Sequence, residues 1–196
     1  MNRNDLCHDF AGHIVDTRFD KLSPDAVEGA KKSILDMLGV ILAAGGMEHA
    51  VRGVIDFAKE GGGTPECSVL GFGGRLPAVS AAFANGAMAH CLDYDDQTPW
   101  GQHSGSSILP AVFAVAERMA ARDGAVSGRD MIAAVAVGQD LFHRLIPNVG
   151  WRKDWNFSTV VGVYCATAAC THLLGLPREQ VAAAFGIDSM QSCGTM

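Results

Sequence analysis

Three carboxylates, Asp93, Asp95 and Asp96, fall within four residues, with His90 just before them and His103 just after. Crowded carboxylates repel one another, so one of them can hold a proton near neutral pH. Imidazole changes charge there without large perturbation. An Asp–His pair on one loop is therefore a candidate acid–base unit. The same residues admit two other readings. Short acids form solvated turns and helix caps by bonding nearby backbone. Hard divalent ions also take such oxygens, and a metal-dependent hydrolase would use them. The linear pattern disfavours zinc, because no tight His/Cys spacing accompanies the acids. No metal or other cofactor is expected.

Other reactive side chains give weaker patterns. Cys91 adjoins the acidic run, but no cation is placed to lower its thiol pKa, so a buried thiol is the simpler reading. His90 is expected to end its helix or to sit satisfied against the backbone. His143, beside Arg144, reads as structural or exposed, and His8, His13, His49 and His172 form no cluster. Trp100, Trp151 and Trp155 suit a pocket wall or ordinary packing. The glycine-rich pieces at 61–63 and 71–74 lack the strand–GxGxxG–helix setting of a nucleotide site and read as turns.

The elements that must hold this loop read as helices. Leu6, Phe10 and Ile14 stand four apart, along one helical stripe. Ser23, Pro24 and Asp25 open the clearest helix as cap, first residue and dipole partner. Its expected buried face is Val27, Ile34, Leu35, Leu38, Ile41 and Leu42, and Gly45–Gly46 should stop it. A shorter helix follows at about 48–59. CSVLGF at 67–72, with a Gly73–Gly74 turn, is the one strand signal. Helix resumes at about 77–90, too Ala-rich for a surface position. Residues 91–105 show neither period and read as a loop. Further helices are expected at about 106–121, 127–146 (capped by Ser127), 157–174 (ended by Gly175) and 178–187.

Composition narrows the class. A chain of 196 residues fits a single domain, here a single helical domain over 1–196. Apolar residues at 48% and charged residues at 18% exclude a disordered chain. With 23 glycines and only 7% aromatics, close helix packing by small residues is expected. The net charge of −6 and the absence of any Lys/Arg run beyond Lys31–Lys32 argue against nucleic-acid binding. No apolar run reaches the ~18–20 residues of a membrane span. The N-terminal MNRNDLCHDFAGH carries acids and histidines where a secretory signal has an apolar stretch. The six cysteines, without a CxxC pair, read as free and mostly buried thiols of a cytoplasmic protein.

The stretch FGGRLPAVSAAFANGAMAHCLDYDD, with His103 ten residues after Asp93, resembles the MmgE/PrpD family. SILDMLGVILAAGG before it, and ILPAVFAVAE and THLLGLPREQVAAAFGI after it, match in the same order. The resemblance implies an all-α bundle, at most one small β-element near 67–72, and a helical dimer contact. It implies an active site that faces a second, α/β lid domain. The chain resembles the N-terminal part of such longer proteins, and the lid is expected to be absent from it. Matched by position, Asp93 and His103 correspond to the family's active-site acid and histidine. The family's threonine after the DYDD run falls on Gln97, with Thr98 next. Its His-Pro-Ser becomes His103-Ser104-Gly105, and a later histidine becomes Asn156. Gln97, Thr98, Ser104 and Asn156 are thereby the expected substrate-binding residues.

The resemblance further implies a lyase or isomerase that moves a proton beside a carboxylate of a small di- or tricarboxylic acid. Such chemistry builds negative charge and needs an acid, a base and cations. Arg144, Arg152 and Lys153 are the cations in reach of the pattern, and a solvated surface role is expected for each. A homodimer, or a hetero-oligomer with a lid-bearing subunit, is expected. The alternative is a non-catalytic helical dimerisation or binding module derived from such an enzyme.

Overall fold

The computed structural model describes residues 5–122, 124–150 and 154–195. Among them are eight α-helices and one two-stranded ribbon. They are α1 (Leu6–Asp16), α2 (Pro24–Met47), α3 (Ala50–Glu60), β1 (Cys67–Ser68), β2 (Arg75–Leu76), α4 (Ala78–His90), α5 (Gly105–Arg122), α6 (Gly128–Leu145), α7 (Phe157–Leu173) and α8 (Arg178–Asp188). The expected all-α class holds, and the β-element is as small as anticipated. β1 and β2 pair antiparallel, Cys67 opposite Leu76. Only two of the six residues of CSVLGF join the ribbon. Val69 to Gly74 form its turn, where Gly71, Gly73 and Gly74 take positive φ.

The helix starts obey their caps. Ser23 Oγ accepts the Ala26 N–H at 3.1 Å, and Ser127 with Asp130 closes a reciprocal capping box. Two expectations for α2 fail. The helix runs through Gly45–Gly46 to Met47, because Gly45 serves close approach. A Cβ there would lie 2.9 Å from the Phe72 ring. Its buried stripe is Ala30, Ser33, Met37, Val40, Ile41 and Ala44, a 3–4 spacing that turns Leu35 and Leu42 outward. Likewise Leu6 is exposed on α1, and Val79 and Phe83 are exposed on α4 although its alanines are buried.

α6 packs on α7, and α4 on α5, along extended faces. Small residues set these distances. A Cβ on Gly138 of α6 would stand 2.9 Å from the Cys165 carbonyl oxygen of α7. Phe142, Ile108, Leu109, Val112, Val135 and Cys165 fill the core. Cys67 and Cys165 are buried free thiols, whereas Cys91 and Cys193 are exposed, so burial covers fewer cysteines than expected. No single described helix is long and apolar enough to cross a membrane.

Candidate active site

The loop between α4 and α5 folds back on itself for backbone reasons. α4 ends at His90, and the Asp93 N–H donates to the His90 carbonyl at 3.1 Å. Asp93 then takes φ +55°, a left-handed conformation that aspartate tolerates better than most residues. The chain reverses there and places Asp95 against the end of α4. Asp96 closes the far side. Its carboxylate accepts the Ser104 hydroxyl at 2.6 Å and the Gly105 N–H at 2.8 Å, which satisfies the start of α5. The Asp96 N–H in turn donates to Asp36 on α2. Burial, reinforced by the Asp96 charge, pushes the Asp36 carboxyl up.

Asp95 sits at the centre, its side chain fully buried. The His90 Nδ1–H donates to Asp95 Oδ1 at 2.9 Å. His103 Nδ1 lies 3.3 Å from the Asp95 carbonyl oxygen and 3.4 Å from Asp95 Oδ2. The two imidazole rings meet edge to face, centroids 4.8 Å apart. On its other edge, His103 Nε2 faces Asp93 Oδ1 at 3.4 Å, and that carboxylate is 80% exposed. His103 thus has one nitrogen turned to a buried acid and the other toward the open side of the loop. Its backbone N–H donates to Ser158 Oγ at 2.9 Å, which ties it to the first turn of α7.

The electrostatics follow from this arrangement. Burial would raise the Asp95 carboxyl, but the hydrogen bond from His90, the nearby Ser106 hydroxyl and the two imidazoles overcome it and hold the group below its ordinary value. The Asp95 hydrogen bond raises His90 above the usual imidazole value, against the opposing effect of burial. His90 and Asp95 are therefore a charged pair in the range between those two values.

The expected site residues divide in two. Asp93 and His103 stand together. Gln97 is exposed on the loop. Thr98 is buried; its hydroxyl donates to Gln102 Oε1 and accepts the Gln102 N–H, each at 3.1 Å, so it fastens the turn. Ser104 serves the α5 cap just described. Asn156 caps α7, its Oδ1 accepting the Ser158 N–H at 2.9 Å. Each of these three has polar atoms engaged within the fold. His90 ends α4 as expected, but its ring meets a carboxylate, not the backbone. The five-residue step from a helix-terminal histidine to Asp95 was the available signal. Arg144 is held by Asp140 at 2.7 Å on α6, and Arg152 and Lys153 lie outside the described residues. Beside His90, a mostly apolar groove of 480 Å³ runs between Phe83, Gly86, Cys91, Ser107 and Thr159. A larger cleft of 580 Å³ includes Arg18, Arg129, Asp130 and His172, but there His172 bonds the Ile14 carbonyl and Asp130 serves the capping box. The smaller opening is lined by His90 and not by His103 or Asp93.

Comparison with known proteins agrees with the helical bundle. The sequence profile of the MmgE/PrpD N-terminal domain matches residues 8–196. The chain belongs to the MmgE/PrpD family. It is 32% identical to cis-aconitate decarboxylase of Aspergillus terreus, over 98% of this chain and 39% of that protein. It is 29% and 28% identical to the cis-aconitate decarboxylases of Mus musculus and Homo sapiens, over 95% of this chain in each case. The chain spans about two fifths of the length of these relatives (39–40%). Within this MmgE/PrpD domain, the family relationship is to enzymes of the decarboxylase and dehydratase type.

Proposed function

We propose that this domain supplies the helical half of an active site for lyase chemistry on a small di- or tricarboxylic acid, with cis-aconitate as the first substrate to test. The observation that carries the reading is His103 itself. Its Nδ1 edge is braced by Asp95, and its Nε2 faces the open side beside Asp93. The Asp95 backbone carbonyl behind Nδ1 favours the Nδ1–H tautomer, which leaves the Nε2 lone pair free to accept a proton. The ring lies between the Asp93 and Asp95 carboxylates. In a decarboxylation the C–C bond to the departing carboxylate breaks, CO2 leaves, and the electron pair stays on the adjacent carbon. His103 Nε2–H then delivers the proton to that carbon. In a dehydration the same nitrogen would instead remove the proton beside the carboxylate, the C–H pair would form the double bond, and the hydroxyl of the neighbouring carbon would leave, taking up a proton as water.

The developing negative charge needs donors. Among the described residues, the ion partners of Asp93 and Asp95 are His90 and His103. We infer that the cations come from a further domain, in the same or another polypeptide, that closes over this loop. The test is turnover of cis-aconitate and related acids by the complete assembly carrying His103→Asn. Loss of turnover with the fold retained supports the reading, and undiminished turnover ends it. The binding-module alternative rests on Thr98, Ser104 and Asn156 being engaged within the fold. It predicts that Asp93→Asn leaves any native activity unchanged.

A further inference from the structure

Four candidate ligands of two types, from the end of α4 and the loop after it, converge at one point. One atom each from His90, Asp93, Asp95 and His103 can be chosen so that all four lie within 4.8 Å of one another. In the tetrahedral set that Zn2+ favours, ligand atoms about 2.1 Å from the ion stand about 3.4 Å from one another. The widest pair must therefore close by up to about 1.4 Å for the cluster to hold an ion. Asp93, on the exposed edge, is free to supply that movement.

A second feature points to a ligand independently of the clustering. Asp95 Oδ2 is buried and has no hydrogen-bond partner, although its side chain is wholly enclosed. His103 Nδ1 is 3.4 Å away, but the pair does not meet hydrogen-bond geometry, and that nitrogen lies marginally nearer the Asp95 carbonyl. A buried carboxylate oxygen without a donor costs free energy, about 1–3 kcal/mol for an ordinary polar group. A cation between the two imidazoles would satisfy it. Zinc looked unfavourable from linear spacing because the reversal at Asp93 is invisible there.

We propose that His90, Asp93, Asp95 and His103 form a binding site for one divalent first-row transition ion, Zn2+ foremost. Two imidazoles with two carboxylates suit Zn2+ and its neighbours, whereas Mg2+ and Ca2+ prefer all-oxygen sets. The ion takes up the lone pairs of His90 and His103, so it binds the chain only when both rings are neutral. It also withholds His103 from proton transfer. That consequence rests on the function proposed above; the binding itself does not.

The test uses the purified 196-residue chain, reduced and freed of metal, titrated with CoCl2. The expected result is one equivalent of Co2+ with a visible d–d spectrum and no near-ultraviolet thiolate charge-transfer band. Zn2+ should displace it and Mg2+ should not. Asp95→Asn and His90→Gln should each weaken binding by about tenfold or more, as even outer-shell losses do at metal sites. Cys91→Ser, next to His90 in the chain, should leave it unchanged. If Asp95→Asn fails to fold, His90→Gln and Asp93→Asn, altered at more exposed positions, decide the question. No stoichiometric binding by the wild-type chain would overturn the proposal. So would a thiolate band that Cys91→Ser removes, or affinity that ignores all three site variants.

Discussion

The seam between α6 and α7 and the loop from Cys91 to Ser104 solve opposite problems. In the seam, Gly138 lets two backbones approach, and Val135, Phe142, Val161 and Cys165 fill the space. Its order comes from shape and exclusion of water. In the loop, Asp95, His90, Asp96, Ser104, Thr98 and Gln102 hold one another by hydrogen bonds, and Ser158 anchors His103 from α7. The seam tolerates little extra volume. The loop tolerates little change in charge or donor count. The contrast teaches where function can reside. A group whose pKa and tautomer depend on a few polar neighbours is adjustable, and a close-packed methyl group is not.

That contrast can be broken by substitution. The largest effect is expected from His103→Asn in the complete assembly, with turnover falling about 10²–10⁴-fold, the usual weight of a positioned acid–base group. Steady-state kinetics alongside circular dichroism would check it. Next comes Gly138→Val, which forces side-chain atoms onto the Cys165 carbonyl. Urea unfolding should show a loss of about 1–3 kcal/mol, as for other overpacked sites. The loop should keep its titration behaviour in that variant. Asn156→Ala removes the α7 cap and should cost about 1 kcal/mol. Because α7 anchors His103 through Ser158, this change also sharpens the comparison, since it reaches the site through a helix end. Leu35→Ser or Leu42→Ser, on the outward face of α2, should change stability by no more than about 0.5 kcal/mol. A large loss in either would mean that this face is covered in solution.

Legibility in the sequence followed the same division. The helices were readable because burial imposes a period and because Ser23, Ser127 and Gly175 mark ends. The outward Leu35 and Leu42 were misplaced because α2 is apolar on more than one side, and Ala30, Ser33 and Ala44 complete the true stripe with side chains too small to stand out. Gly45 looked like a stop because glycine for close approach and glycine for termination are the same letter. At the site, Asp93, His103 and their neighbours were readable as a set. The central position of Asp95 was not, since it depends on one left-handed residue that reverses the chain. Ser158 could not be paired with His103 at all, because 55 residues separate them.

The organising role of Asp95 is the central claim, and a histidine titration tests it most directly. The C2–H resonance of His90 should be followed by NMR across pH, with EDTA present so that no ion competes. A group whose pKa is raised in the fold adds stability below its unfolded value and loses it as pH rises through the folded value. In the wild type, His90 should titrate above the ordinary imidazole value of about 6.5. Asp95→Asn removes the carboxylate that raises it and leaves burial opposing the charge, so the midpoint should fall. Thermal unfolding should show the wild-type advantage over Asp95→Asn fading as pH rises through the wild-type His90 midpoint. An identical His90 midpoint in the two proteins would contradict the account, because the Asp95 carboxylate would then not hold the His90 ring.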